Sequence, residues 1–270
     1  MKSVLITGCS EGGIGSALAR EFQKKGFLVF ATARSISKMA DLQKIPNIRL
    51  LQLDVTSPFD IHSVVKAVQD ATGGKLDVLV NNSGQQCVVP CLEMNRQDAQ
   101  RIFGVNFWAV FDLIQAFAPC LMAAKGTIVN ISSISGYLHT PFMSVYNASK
   151  AALTMFGETL RLEMLPLGIQ VLTVITGAID TNIMKNGSVP ILQPSLPYSK
   201  AQAKIAMLAS GTDGVKRMKS EEFAEKVVHD VLHGAGTGKV WRGASASMTR
   251  VVSLFMPSWI LALPLFFGGR

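Results

Sequence analysis

Thr7-Gly8-Cys9-Ser10-Glu11-Gly12-Gly13-Ile14-Gly15 follows the apolar run Val4-Leu5-Ile6 and opens the amphipathic stretch Ile14–Lys25. A short apolar strand, a glycine-rich turn and a helix, in that order, begin a βαβ unit. Glycine at such a turn lets backbone amides approach an anion at the helix N-terminus, where the helix dipole favours negative charge. The plainer alternative is that the glycines serve only the tightness of the turn.

Outward from this stretch the rhythm repeats. Apolar runs at Phe27–Phe30, Ile48–Leu53, Leu76–Val80, Thr127–Ile131 and Ile169–Ile175 alternate with helix-period segments at Ile61–Ala71, Arg101–Ala124 and Ser144–Leu165. Short apolar strands separated by helices predict a parallel sheet covered on both faces. Right-handed crossovers then give an α/β fold, a single doubly wound Rossmann domain of about seven strands, over residues 1–245. Residues 182–220 break the pattern with Pro190, Pro194, Pro197, Gly187, Gly211 and Gly214. This segment follows the carboxyl end of a strand, where such folds bind ligands, and reads as a substrate loop or lid. Residues 246–270 form a hydrophobic C-terminal tail.

The chain has 270 residues, 49% of them apolar and 16% charged, which excludes a disordered protein. Its formal charge of +8 fits an anionic partner or a solvated basic surface. No basic run with interleaved aromatics is present, so nucleic acid is not an expected partner. Cys9, Cys87, Cys91 and Cys120 lack metal-ligand spacing and read as reduced thiols of a cytoplasmic protein; no metal is expected. The first apolar run is too short for a signal peptide. Met39, Met94, Met122, Met143, Met155, Met164 and Trp108 read as core packing or pocket lining.

The second strand ends at Ala31-Thr32-Ala33-Arg34. A fold selecting NAD places an acid there for the ribose hydroxyls. Arg34 stands in that place instead, with Ser10, Ser35 and Lys38 as candidate helpers, which points to the 2′-phosphate of NADP(H). Further on, Tyr146-Asn147-Ala148-Ser149-Lys150 lies thirteen residues after Ser133. On a helix, Tyr146 and Lys150 share one face. A nearby ammonium favours phenolate, which lowers the tyrosine pKa and makes it a usable proton donor and acceptor.

Thr7–Gly15, Asp54 in Leu53-Asp54-Val55, Asn81-Asn82-Ser83-Gly84, Asn106, Ser133, Tyr146 and Lys150 together resemble the short-chain dehydrogenase/reductase family. Gly74-Lys75-Leu76-Asp77, Leu162-Glu163-Met164, Trp241-Arg242-Gly243 and Met256-Pro257-Ser258-Trp259 are similar to its fungal 1-acyldihydroxyacetone-phosphate reductases. The resemblance implies catalytic roles for Asn106, Ser133, Tyr146 and Lys150. Ser133 hydrogen-bonds the substrate carbonyl, Tyr146 gives it a proton, Lys150 lowers the Tyr146 pKa and holds the nicotinamide ribose, and Asn106 anchors a water. It implies cofactor contacts from Gly8, Ser10, Gly13, Ile14, Gly15, Arg34, Asp54, Val55, Asn82, Ile179 and Thr181. It also implies a homodimer or homotetramer built on the helices near Arg101–Ala124 and Ser144–Leu165.

Three departures stand out. One extra residue lengthens the glycine turn, Ser83 replaces alanine in the Asn-Asn motif, and Thr176-Gly177 stands where the family has Pro-Gly. The last leaves that loop freer.

The expected activity is NADPH-dependent reduction of a ketone to a secondary alcohol. The substrate is lipophilic or acyl-bearing, such as 1-acyldihydroxyacetone phosphate, or alternatively a polyketide or aromatic ketone of fungal-type specialised metabolism. A non-enzymatic binding protein on this fold would lack one of the four catalytic residues, and none is missing. Val251–Gly268 contains no charged residue. Pro257 and Pro264 disfavour a spanning helix, so the tail is expected either at a lipid surface, flanked by Arg242, Arg250 and Arg270, or as a lid or subunit contact. The first alternative places the protein beside the endoplasmic reticulum or a lipid droplet.

Overall fold

The computed structural model describes residues 1–182, 197–233 and 238–256. Much of the expected lid (183–196) and most of the tail (257–270) lie outside the described residues.

Seven parallel strands form one sheet: β1 (Ser3–Thr7), β2 (Leu28–Ala33), β3 (Ile48–Gln52), β4 (Val78–Asn81), β5 (Thr127–Ile131), β6 (Gln170–Thr176) and β9 (Gly238–Arg242), in the order β3-β2-β1-β4-β5-β6-β9. A separate parallel pair joins β7 (Ile179–Asp180) to β8 (Met218–Lys219). The strand order reverses between β1 and β4, so a crevice opens beyond their carboxyl ends.

Every residue of β1, β4 and β5 is buried. Their side chains alternate between two apolar layers. Val4, Ile6 and Val129 face α1 (Ile14–Lys24) and α7 (Ser220–His233). Leu5, Leu79 and Ile128 face α2 (Pro58–Thr72), α4 (Ala109–Ala124) and α5 (Ser144–Met164). Helix α3 (Arg96–Phe103) runs into α4 through a π-helical turn at Gly104–Trp108. Helix α6 (Gln202–Ser210) stands apart, and α8 (Ala246–Phe255) follows β9.

The local chemistry explains where elements begin and end. Helix α2 starts ahead of its apolar period because Ser57 accepts from the Asp60 amide, Pro58 fits the first turn, and Gly73 closes the far end at φ 67°. The edge strand β9 carries no continuous apolar run and is only half-buried. That is why the periodicity places six strands directly and leaves the seventh unlocated.

Two expectations are corrected. The loop after β6 is not freer for lacking proline. Gly177 N donates to Arg242 O at 2.8 Å and Ala178 N to Ala244 O at 3.0 Å, so the β9 end stitches it down. A Cβ on Gly177 would sit 2.0 Å from Ala244 O, so the approach requires glycine. Met122, Met155 and Trp108 are not core: they are 43%, 69% and 55% exposed along α4 and α5.

Candidate active site

Tyr146, Ser149 and Lys150 lie on the buried face of α5. The carboxyl end of β5 delivers Ser133 beside them, as the N-cap of a short turn at Ile134–Gly136. Two contacts fix that approach. Ser132 Oγ donates to Lys150 O at 3.1 Å. Gly136 packs so tightly on α5 that a Cβ there would lie 3.0 Å from Ala151 N. The hydroxyls of Ser133 and Tyr146 are thereby brought within reach of each other.

Burial is the dominant influence on both ionisable groups. It raises the Tyr146 hydroxyl above the ordinary phenol value, against the Ser133 hydrogen bond, and Cys87 nearby adds to the rise. This differs from the expected lowering by Lys150. The ammonium lies 6.0 Å from the phenol ring centroid and donates to Ile131 O at 2.9 Å. Tyr146 is therefore a protonated group, suited to giving a proton. Desolvation lowers Lys150 to about 8.

Asn106 is fully buried in the π-helical turn, an irregularity common at functional positions. Its Oδ1 accepts from Gln85 N at 2.8 Å, and its Nδ2 donates to Gln85 O and Ser149 Oγ, both at 2.9 Å. Ser149 Oγ in turn donates to Tyr146 O at 2.7 Å. The Asn106 side chain is thus a clamp between the loop after β4 and α5. Gln85 and Ser149 complete this network and were given no role in the sequence reading: Gln85 lies one residue past Asn81–Gly84, and Ser149 sits inside Tyr146–Lys150 between the two residues that drew the argument.

The glycine turn lies at the other end of the crevice. Gly8 and Gly12 have φ of +74° and +71°, a region that side chains disfavour. A Cβ on Gly15 would sit 2.4 Å from Gly8 O, so only glycine lets α1 approach β1 this closely. Asn82 holds the turn with its side chain, donating from Nδ2 to Thr7 O at 2.7 Å and Gly8 O at 3.2 Å. Ser10 O accepts from Gly13 N, and Glu11 N donates to Lys38 O. Asn182 Nδ2 donates to Glu11 O at 3.1 Å, a cross-link that sequence separation hides. Gly13 caps α1 without a side-chain bond, and no acid occupies the first helical turn. The amides there are suited to a phosphate.

The remaining predicted residues divide by placement. Arg34 is exposed at the end of β2, and its charge reaches Asp54. Asp54 is held below its ordinary value: burial opposes this, but hydrogen bonds from the Thr56 amide and hydroxyl and the Arg34 charge outweigh it. The Asp54 amide is taken by Asp60 Oδ2. Val55 is buried in the layer under α2, α4 and α5, and Ile14 is partly buried against the opposite layer. Ile179 is buried in the small sheet, with Thr181 half-buried just beyond. Arg242 is engaged within the fold. Its Nε and Nη2 donate to the buried Asp230 carboxylate, each at 2.7 Å, a two-point pairing that holds the guanidinium in place.

These residues fit a dinucleotide. The turn holds glycines where a side chain would strain or collide. The Lys150 ammonium has three donors and, among the described residues, donates to Ile131 O alone, which leaves it suited to ribose hydroxyls. All four cysteines are free, and burial pushes the Cys9 thiol up to about 12. Among the described residues no His/Cys/Asp/Glu group is placed to hold a metal.

The pattern defining the short chain dehydrogenase family matches residues 2–189. A short-chain dehydrogenase of Penicillium crustosum is 44% identical, over 98% of this chain and 96% of its own length. An NADPH-dependent 1-acyldihydroxyacetone phosphate reductase of Schizosaccharomyces pombe is 37% identical, over 94% and 89%. Among solved structures, a short-chain dehydrogenase from Streptomyces avermitilis superposes with a TM-score of 0.82 at 29% identity, over 94% of this chain and 92% of that one.

Proposed function

This chain belongs to the short-chain dehydrogenase family, and we propose that it is an NADP(H)-dependent carbonyl reductase converting a ketone to a secondary alcohol. The observation that carries this reading is the convergence of Ser133 at the carboxyl end of β5 with buried Tyr146 and Lys150 on α5. When bound, the reduced nicotinamide supplies hydride to the carbonyl carbon. Ser133 Oγ donates a hydrogen bond to the carbonyl oxygen and steadies its growing charge. Tyr146 gives that oxygen its proton. Lys150 holds the ribose and offsets the charge left on the phenol oxygen. Exposed Arg34 at the end of β2, with no acid beside it in that turn, favours the 2′-phosphate, in keeping with the NADPH-dependent relative.

The substrate side is apolar. Val88, Met143, Tyr146, Ile205 and Ala209 form a third buried cluster, joining the catalytic tyrosine to α6 of the lid segment. This supports a lipophilic ketone, with 1-acyldihydroxyacetone phosphate as the leading candidate by likeness to the Schizosaccharomyces pombe enzyme. The ring contact between Phe142 and Tyr198 beside that cluster favours the second reading, an aromatic or polyketide-type ketone. NADPH oxidation with acyldihydroxyacetone phosphate, a long-chain ketone without phosphate and a bulky aromatic ketone separates the two. Preference for the phosphorylated lipid selects the first reading and preference for the aromatic ketone the second. No oxidation with any carbonyl compound refutes both.

Two further features belong to this proposal. Exposed Trp108, Met155 and Leu162 on the α4–α5 face support a homodimer or homotetramer, checked by sedimentation. Exposed Met248, Val251, Leu254 and Phe255 on α8 support lipid contact by residues 251–268 of a cytoplasmic protein, at the endoplasmic reticulum or a lipid droplet. Vesicle flotation checks that contact.

A further inference from the structure

Phe142 has φ +65°, a conformation that a bulky side chain rarely adopts. Glycine or asparagine would meet the needs of the main chain there at less cost, so retaining a phenyl ring calls for a reason in the ring itself. The backbone around it is over-determined. Phe142 O accepts from Val89 N at 2.7 Å. Asn147 Nδ2 on α5 pins Leu138 O at 3.3 Å and Thr140 O at 3.2 Å. So held, the ring packs on the apolar cluster that contains Tyr146. It also meets the Tyr198 ring edge-on, at 6.1 Å between centroids and 80° between planes. Tyr198 precedes the turn that enters α6.

We propose that Phe142 is a specificity-determining residue: its ring fastens α6 to the wall beside Tyr146 and limits the width of the apolar flank that a ketone presents there. The inference rests on the carbonyl-reductase reading and deepens it. The ring packs on the cluster that holds both the proton donor and Ile205 and Ala209 of α6. No member of the cluster carries a charged side chain. The flank accepted beside the carbonyl is therefore uncharged, and the position of the ring sets its thickness. Phe142 is not a proton donor or acceptor; it acts on the reaction through fit.

Two variants test this. Phe142→Gly removes the ring and relieves the backbone, whereas Phe142→Leu keeps apolar bulk. Each is assayed with NADPH on a straight-chain methyl ketone and a bicyclic aryl methyl ketone. The expected result for Phe142→Gly is a shift of about tenfold in the kcat/KM ratio towards the bicyclic ketone, with a smaller shift for Phe142→Leu and NADPH affinity unchanged. Hydrogen exchange of the α6 amides, measured on the protein alone, is expected to quicken in Phe142→Gly while α5 stays protected. A parallel fall for both ketones, or unchanged exchange in α6, overturns the proposal. Wild-type protein that reduces no carbonyl compound, acyldihydroxyacetone phosphate included, together with quickened α6 exchange, overturns the reductase reading and supports the coupling of Phe142 to α6.

Discussion

The turn after β1 and the loop before Tyr146 both bend through left-handed backbone, but with opposite residues. Gly8 and Gly12 occupy that region at +74° and +71° without steric penalty. Phe142 occupies it at +65°, at about 1–3 kcal/mol, and persists because hydrogen bonds and ring packing hold it. The first geometry is written into the residue type, whereas the second exists only because neighbours distant in sequence impose it. A cofactor cradle shared across a family is built from the first kind of constraint. A pocket wall that tells one ketone from another is built here from the second.

Variants at the two regions should therefore differ in kind: cradle variants affect every ketone alike, and wall variants discriminate between ketones. Tyr146→Phe lies between them and tests the shared chemistry. It should lower turnover about 10²–10⁴-fold for all ketones with NADPH binding retained, read by cofactor titration alongside steady-state rates. Undiminished turnover would remove the premise of the comparison.

The next effect is the pH response of Lys150. Unfolded lysine keeps its proton to about 10.4, whereas folded Lys150 loses it near 8. The unfolded state thus binds more protons between those values, so stability rises with pH across that window, by about 3 kcal/mol at most. Lys150→Met should abolish this rise when urea midpoints at pH 7.5 and 10 are compared with wild type. NADPH affinity should move the opposite way in wild type, falling as the pH passes about 8 and the ammonium is lost.

Arg34→Ala should weaken NADPH binding about 10–100-fold and leave NADH binding unchanged, since one charge-assisted contact is worth about 1.5–3 kcal/mol. Equal losses for the two cofactors would show that Arg34 does not meet the 2′-phosphate. The smallest effect sharpens the comparison most directly. Gly8→Ala adds a Cβ 3.1 Å from Asn82 Nδ2 in a backbone region that resists it, and should cost about 1–2 kcal/mol of stability by thermal denaturation. It should not change the ratio between ketones, which Phe142→Gly should.

The sheet was largely legible because a fully buried parallel strand is an apolar run, as Thr127–Ile131 shows. Strand β9 was not, because an edge strand needs apolar residues on fewer sides. In the site, the pairing of Tyr146 with Lys150 could be read from spacing, since a helix places positions four apart on one face, whereas the part of Ser133 came from the family resemblance. Their electrostatics could not. The expected lowering of the Tyr146 pKa assumed a nearby ammonium as the main influence, whereas burial dominates and Ser133 is what opposes it. Asn82 shows the same division. Its motif marked it, but the clamp on Thr7 O and Gly8 O depends on β1 and β4 lying side by side.

The sequence by itself determined the order of strands and helices, the glycine cradle, and the residues able to handle a proton. These depend on residue type and on spacing within one element. Only the tertiary structure decided that Asn106 clamps Gln85 to Ser149, that Asn182 ties down the glycine turn, that Arg242 belongs to Asp230, and that Phe142 joins Tyr146 to α6. Each of those depends on which surfaces meet once the chain has folded, and a hydrogen bond or ring contact across such a meeting leaves no periodic trace in the sequence.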